Sequence, residues 1–175
     1  MKKKRLGHLW LSVALVALLS GCGHNKNLEP VSEINFHGAD PPSLNIGVNP
    51  PLSHQTYFVF TVKLTDNSLS LVPTDSWTLD NYHITYTLLN DPGHHLMALP
   101  ADRTEKANTV VKPGPGVRFP VQIVTDTYLR DNASGFIGTS DTAMVKANVV
   151  FRTHRNKDGF VQDVQGRVIF TIGNF

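Results

Sequence analysis

The 175-residue chain has one cysteine, two tryptophans and only 17% charged residues. A lone thiol excludes an intrachain disulfide, and Gly23 after Cys22 excludes haem attachment through C-x-x-C-H. The fold must then be held by burial and backbone hydrogen bonds alone. The serine-hydrolase elbow G-x-S-x-G, the phosphate loop G-x-x-x-x-G-K and the zinc motif H-E-x-x-H are all missing. With no nucleophile beside a recognisable activating partner, the expected protein is not an enzyme and needs no cofactor. Charge of one sign is scarce as well. Lys2, Lys3, Lys4 and Arg5 supply four of the 16 basic residues, and the rest are outnumbered by 14 acidic ones. Without a basic stripe, nucleic acid is not an expected partner. The longest apolar run, Leu9 to Leu19, is interrupted by Ser12 and falls short of the roughly 20 residues that span a bilayer.

What is present begins with that run. A basic start, a short apolar stretch and small residues make a secretory signal, and the stretch ends Leu19-Ser20-Gly21-Cys22. This resembles the bacterial lipobox, with an ordinary signal and a chance cysteine as the alternative. The resemblance implies cleavage before Cys22, a diacylglyceryl group on its thiol and acylation of its new amino group. Acyl burial contributes about 0.8 kcal/mol per CH₂, so one chain anchors marginally whereas two or three hold. Gly23-His24-Asn25 follows, with no Asp directly after Cys22. By the same resemblance this implies the outer membrane, on a face left open. The expected organisation is a signal peptide over 1–21, a lipidated Cys22 with a Pro/Asn-rich tether over 22–56, and a β domain over 57–175.

Pro41-Pro42 and Pro50-Pro51 exclude a long helix in the tether, although "VSEINF" or "SLNIGV" could supply a first strand. If ~25 residues stay flexible, they span about 25–30 Å. From Tyr57 onward the apolar period is two. Phe58, Phe60, Val62 and Leu64 share one face, as do Tyr82, Ile84, Tyr86 and Leu88, and Val117, Phe119, Val121 and Ile123. Pro120 marks an edge strand or a bulge. Turn clusters such as "NDPG", "KPGPG" and "DNASG" separate these runs, no helix longer than two turns is legible, and about seven strands predict an all-β sandwich or barrel.

The clearest local structure is the C-terminal hairpin around "NKDG". Centring the turn on Lys157-Asp158 pairs Phe151 with Val164, Val149 with Gly166, Ala147 with Val168 and Val145 with Phe170. Large then meets small on the core side, and Arg152 faces Asp163 on the other. A three-residue loop would shift the register by one and set Phe151 against Gln165, spoiling the buried face. A two- or four-residue connection is expected. Ala147, Val149, Phe151, Gly159, Val161, Gly166, Ile172, Asn174 and Phe175 resemble the closing hairpin of uncharacterised lipoproteins from cytochrome-rich anaerobic bacteria. The resemblance implies an immunoglobulin/fibronectin-III-like antiparallel β-sandwich and supplies no catalytic residues. It also implies an envelope protein partner, besides the membrane lipid that Cys22 would enter.

"DPGHHLM" is the stretch most suggestive of chemistry. His94, His95 and Met97 offer imidazole and thioether ligands suited to copper, so a metal-handling envelope lipoprotein is the alternative function. Neighbouring strand residues point to opposite faces, and the two histidines converge only in an irregular loop. The leading expectation is exposed histidines at a hairpin tip, with no metal. His83 and His154 are expected to pair with neighbours. Asp126, Asp131, Asn132, Ser140 and Asp141 read as solvated turns, their spacing lacking the calcium-loop pattern. Trp77 is expected as a core plug, an exposed platform beside Tyr57 being the alternative. The terminal Phe175, which also ends many outer-membrane barrels, is expected to close a sandwich strand. Loops at 65–76, 91–108 and 131–141 are where a sandwich module would bind.

Overall fold

The computed structural model describes residues 32–64 and 75–175. The signal, Cys22 and most of the 65–76 loop lie outside the described residues. Eight strands form: β1 (Ser32–Asp40), β2 (Ser43–Gly47), β3 (His54–Leu64), β4 (Trp77–Asn90), β5 (Arg103–Val111), β6 (Val117–Val124), β7 (Thr142–Arg155) and β8 (Val161–Gly173). A short helix α1 (Asp126–Asn132) and a 3₁₀ turn (Ser134–Phe136) connect β6 to β7. One sheet has the order β1-β3-β6 and the other β2-β8-β7-β4-β5. The expected β-sandwich is the fold, and its strand orders follow A-B-E and G-F-C-C′ of immunoglobulin-type sandwiches.

Three features depart from the expectation. There are eight strands rather than about seven, because "SEINFHGAD" and "SLNIG" both form strands inside the 22–56 segment. The pairing is not wholly antiparallel, since β2 runs parallel to β8 from Ser43 opposite Ile169 to Gly47 opposite Gly173. The tether is correspondingly shorter, because β1 already contributes buried Ile34 and β2 buried Ile46 to the core. The proline pair Pro41-Pro42 sits between these strands, where the chain leaves one sheet for the other and amide donors are not needed.

The C-terminal hairpin has the register that alternation demands. Phe151 faces Val164, Val149 faces Gly166, Ala147 faces Val168, Val145 faces Phe170, and Arg152 faces Asp163. A four-residue connection closes it, with Arg155 N–H donating to Phe160 O at 2.8 Å and Gly159 N–H to Arg155 O at 2.9 Å. Gly159 takes φ 72°, the left-handed conformation that glycine adopts without strain. Gly166 has a different reason to be small. A Cβ there would lie 2.5 Å from Phe58 Cε1 and 2.8 Å from Phe36 Cζ, so its notch in β8 receives two rings from the facing sheet.

Those rings form the centre of the core. Phe151 of β7 lies 5.2 Å from Phe58 and 4.9 Å from Phe60 of β3, 5.6 Å from Tyr82 and 5.9 Å from Phe119, all between ring centroids. Trp77 is completely buried as expected, and its Nε1 donates to Ser32 Oγ at 3.2 Å. It faces the core although its numbering parity differs from that of Tyr82 and Ile84. An irregularity at Asp80 between Leu79 and Asn81 makes the correction, adding one residue and turning the strand's inner face over.

Each sheet edge is blunted. Pro120 sits in β6, an outer strand as expected. β1 is broken by an irregularity between Phe36 and Gly38. β5 is irregular opposite Asp80, with Asn108 at φ 46°. β2 is only five residues long. Such devices disfavour pairing with a strand of another chain.

At the turn end of the hairpin, Arg155 grips Asp158 through Nε–Oδ1 at 2.9 Å and Nη2–Oδ2 at 2.5 Å. These bonds, together with the Phe160 N–H, hold the Asp158 carboxyl down at about 2 against an ordinary 3.8. A carboxyl lowered by folding stabilises the native state above its unfolded value and stops doing so as pH falls through the folded one. The expected result is a thermal midpoint that falls between pH 3.8 and about 2, and falls less steeply in Asp158→Asn. Circular dichroism melts across that window check it.

Candidate functional site

The antiparallel strands give the sandwich two unlike ends. The chain enters at one, beside Ser32, Trp77 and Arg155. At the far end lie the last residues of β4, β6 and β8 and the first of β3, β5 and β7. Two of the three expected binding loops meet there. The segment after β4 touches the segment after β6, with Met97 N–H donating to Asn132 O at 3.0 Å and Tyr128 Oη to Ala98 O at 2.8 Å. The third loop lies at the entry end, where Asn156 holds Ser76 through N–H to O at 2.9 Å and Nδ2 to Oγ at 2.8 Å. The 91–108 boundary is corrected, because β5 begins at Arg103 and the loop ends at 102.

Asp91 organises the His-containing stretch. Its carboxylate accepts the His95 amide on Oδ1 and the Leu96 amide on Oδ2, both at 3.1 Å. His94 takes φ 51° and donates its amide to Asp91 O at 3.1 Å. The His95 ring is fastened on several sides. Nε2 lies 2.8 Å from Asp141 Oδ2, and the Phe136 ring stands 5.1 Å away, edge-on. Two glycines make this possible: a Cβ on Gly93 would sit 2.3 Å from His95 Nε2, and one on Gly135 would lie 3.0 Å from the His95 carbonyl oxygen. His95 thus clasps the β4–β5 loop to the β6–β7 connection. Met97 is 73% exposed. Among the described residues, no three His, Cys, Asp or Glu side chains gather where a metal ion could be held. Asp91→Ala removes two charged hydrogen bonds and is expected to weaken the loop by about 1–3 kcal/mol. Faster amide exchange at His95 and Leu96, with Ile84 in the β4 core unchanged, is the check.

Among the residues expected as solvated turns, Asp131, Ser140 and Asp141 are exposed, while Asp126, Asn132 and Asp141 also have defined partners. Asp126 opens α1, takes a hydrogen bond from Ser53 Oγ at 3.3 Å and lies 3.8 Å from Arg130. Asn132 Nδ2 donates back to Tyr128 O, while Asp141 belongs to the His95 clasp. The helix was findable: Thr125 is its N-cap, accepting the Tyr128 amide at 3.1 Å, and Asp126 stands in the first turn. His83 and His154 pair as expected, with Thr104 Oγ1 at 2.9 Å and Asp80 Oδ1 at 2.8 Å. Tyr57 lies apart from Trp77, its ring under the Arg118 guanidinium at 4.8 Å.

A second polar cluster ties the sheets together. Arg103 donates from Nε to Glu105 Oε1 and from Nη1 to Tyr86 Oη, each at 2.6 Å, and from Nη2 to Gln122 O across the gap on β6. Tyr86 Oη donates to Ile123 O at 2.8 Å, and Tyr82 Oη to Glu105 Oε2 at 2.5 Å. Burial alone acts to raise the Glu105 carboxyl, but the Tyr82 and Arg103 hydrogen bonds outweigh it and the net shift is downward. Burial first, then the Glu105 contact, pushes the Tyr82 phenol up. With each polar atom engaged inside the cluster, its arrangement is that of a brace between sheets.

No protein-family model and no curated protein matches the chain. A crystal structure of a protein from Archaeoglobus fulgidus aligns at 15% identity, covering 81% of this chain and 94% of its own, with a TM-score of 0.36.

Proposed function

We propose that the chain is a lipid-anchored outer-membrane lipoprotein whose sandwich serves as a non-catalytic binding or assembly module of the envelope. The observation that carries this reading is the sole cysteine, Cys22, closing Leu19-Ser20-Gly21 at the end of the apolar run. The distribution of exposed apolar side chains supports a docking role for the far end. Of the twelve large apolar residues exposed among the described residues, eight lie there: Leu52, Leu88, Leu89, Met97, Leu99, Ile137, Met144 and Phe175. Strand β7, with 14 residues at roughly 3.3 Å each, sets this end about 45 Å from the entry end. The far end is therefore the one an anchored module offers to a protein partner. Copper capture by His94, His95 and Met97, the second reading, would have to take His95 from Asp141.

Site-specific photo-crosslinking on intact cells tests the docking role. Crosslinkers at Met97 or Ile137 are expected to yield a discrete protein adduct, and one at Arg167 on the outer face of β8 none. Equal labelling at Arg167, or none at Met97 and Ile137, rejects the far end as the docking surface.

A further inference from the structure

The entry end carries an apolar feature of its own. Phe160, which follows the hairpin turn, is 55% exposed, and Val161 beside it is 46% exposed. The Phe160 ring is fixed from the protein side, with the Trp77 ring edge-on at 6.2 Å and the Arg155 guanidinium 5.4 Å from its centroid. Arg155 also donates to Ser32 O at 3.2 Å, so the residue that holds Phe160 pins the point where the chain enters β1. On the outer face of the same sheet, Val161 lies in a row with His154, Thr78 and Val110, and Val110 is 46% exposed.

We infer that Phe160 and Val161, at the tip of the β7–β8 hairpin, seat in the lipid headgroup region of the membrane that holds Cys22. The inference rests on the anchoring reading above. Nine residues, and so ten Cα–Cα steps, separate Cys22 from Ser32, and whatever path they take they reach at most about 33–36 Å. That is less than the long dimension of the sandwich, so the entry end is the end kept beside the bilayer. A tether this short turns lipid contact into an intramolecular event, and even a weak apolar contact is then populated. A half-exposed aromatic ring with a guanidinium at its inner face suits the headgroup layer, where amphipathic groups collect. The ring is already ordered by Trp77 and Arg155, and its seating costs little side-chain entropy.

The test uses the full chain made in a lipidating host, with acylation verified by intact mass and the protein reconstituted into phosphatidylethanolamine–phosphatidylglycerol vesicles containing lipids brominated on their acyl chains. Phe160→Trp and Val161→Trp are compared with Met97→Trp and with the unsubstituted protein, whose buried Trp77 gives the common background. The expected result is loss and blue shift of the added emission for Phe160→Trp or Val161→Trp, and neither for Met97→Trp. An acylated protein in which neither entry-end variant is quenched, or in which Met97→Trp is quenched as strongly, overturns this inference and leaves the anchor standing. A product without acyl chains overturns the anchor and this inference together.

Discussion

Phe151→Ala is expected to lower the unfolding free energy by about 3–5 kcal/mol, the range for deleting a buried aromatic ring. The ring is fully buried and meets Phe58 and Phe60 of the facing sheet at 5.2 and 4.9 Å. Antibody domains of this strand order place an inter-sheet disulfide between strands B and F. Here β3 and β7 hold those places, and aromatic rings occupy the space between them. Their removal leaves a void that neighbouring strands, fixed by their ladders, fill only in part. Urea denaturation provides the measurement: a midpoint shifted strongly downward at unchanged slope is expected. Phe175→Ala, at a side chain 63% exposed, is expected to change stability by no more than about 0.5 kcal/mol. Similar losses for both variants would remove the central role given to Phe151.

The second large effect concerns the anchor. Cys22→Ser is expected to abolish lipid attachment altogether, because the Cys22 thiol is the group that accepts the diacylglyceryl group in the proposed processing. In a lipidating host, the unsubstituted chain is expected to mature at Cys22 and enter the detergent phase with the mass of its acyl chains. Cys22→Ser is expected to lack that mass and, by the lipobox resemblance, to remain uncut before position 22. Two acyl chains contribute tens of methylene groups at about 0.8 kcal/mol each, far more than any contact made by Phe160 could replace. A variant that still enters the detergent phase with acyl mass would reject Cys22 as the anchor.

The two predictions use different kinds of information, and the sequence exposes them unequally. Alternation made the hairpin register legible because a slip of one residue would have exposed Phe151, and Phe151 does face Val164. The histidine partners were legible only as a category: His83 and His154 could be expected to pair, but Thr104 and Asp80 are distant in sequence. β2 was harder to read because five residues between proline pairs carry little period-two signal, and a parallel partner at the far end of the chain leaves no local trace. Helix α1 was missed although Thr125 and Asp126 signal its start, because seven residues are too few for an apolar stripe to emerge. The His95 clasp depended on Gly93 and Gly135 making room from two separate loops, and nothing near "DPGHHLM" names Asp141 as the partner.

Under the anchoring proposed above, irregularity in β1 and β5, brevity in β2 and a proline in β6 would bear on how many copies a membrane can carry. Neighbours on a crowded surface would slide past one another without zipping into ribbons, since among the described residues each flank is short, irregular or interrupted by proline. Dense display could then be achieved without polymerisation, each copy keeping its loop-bearing tip free for traffic with something else.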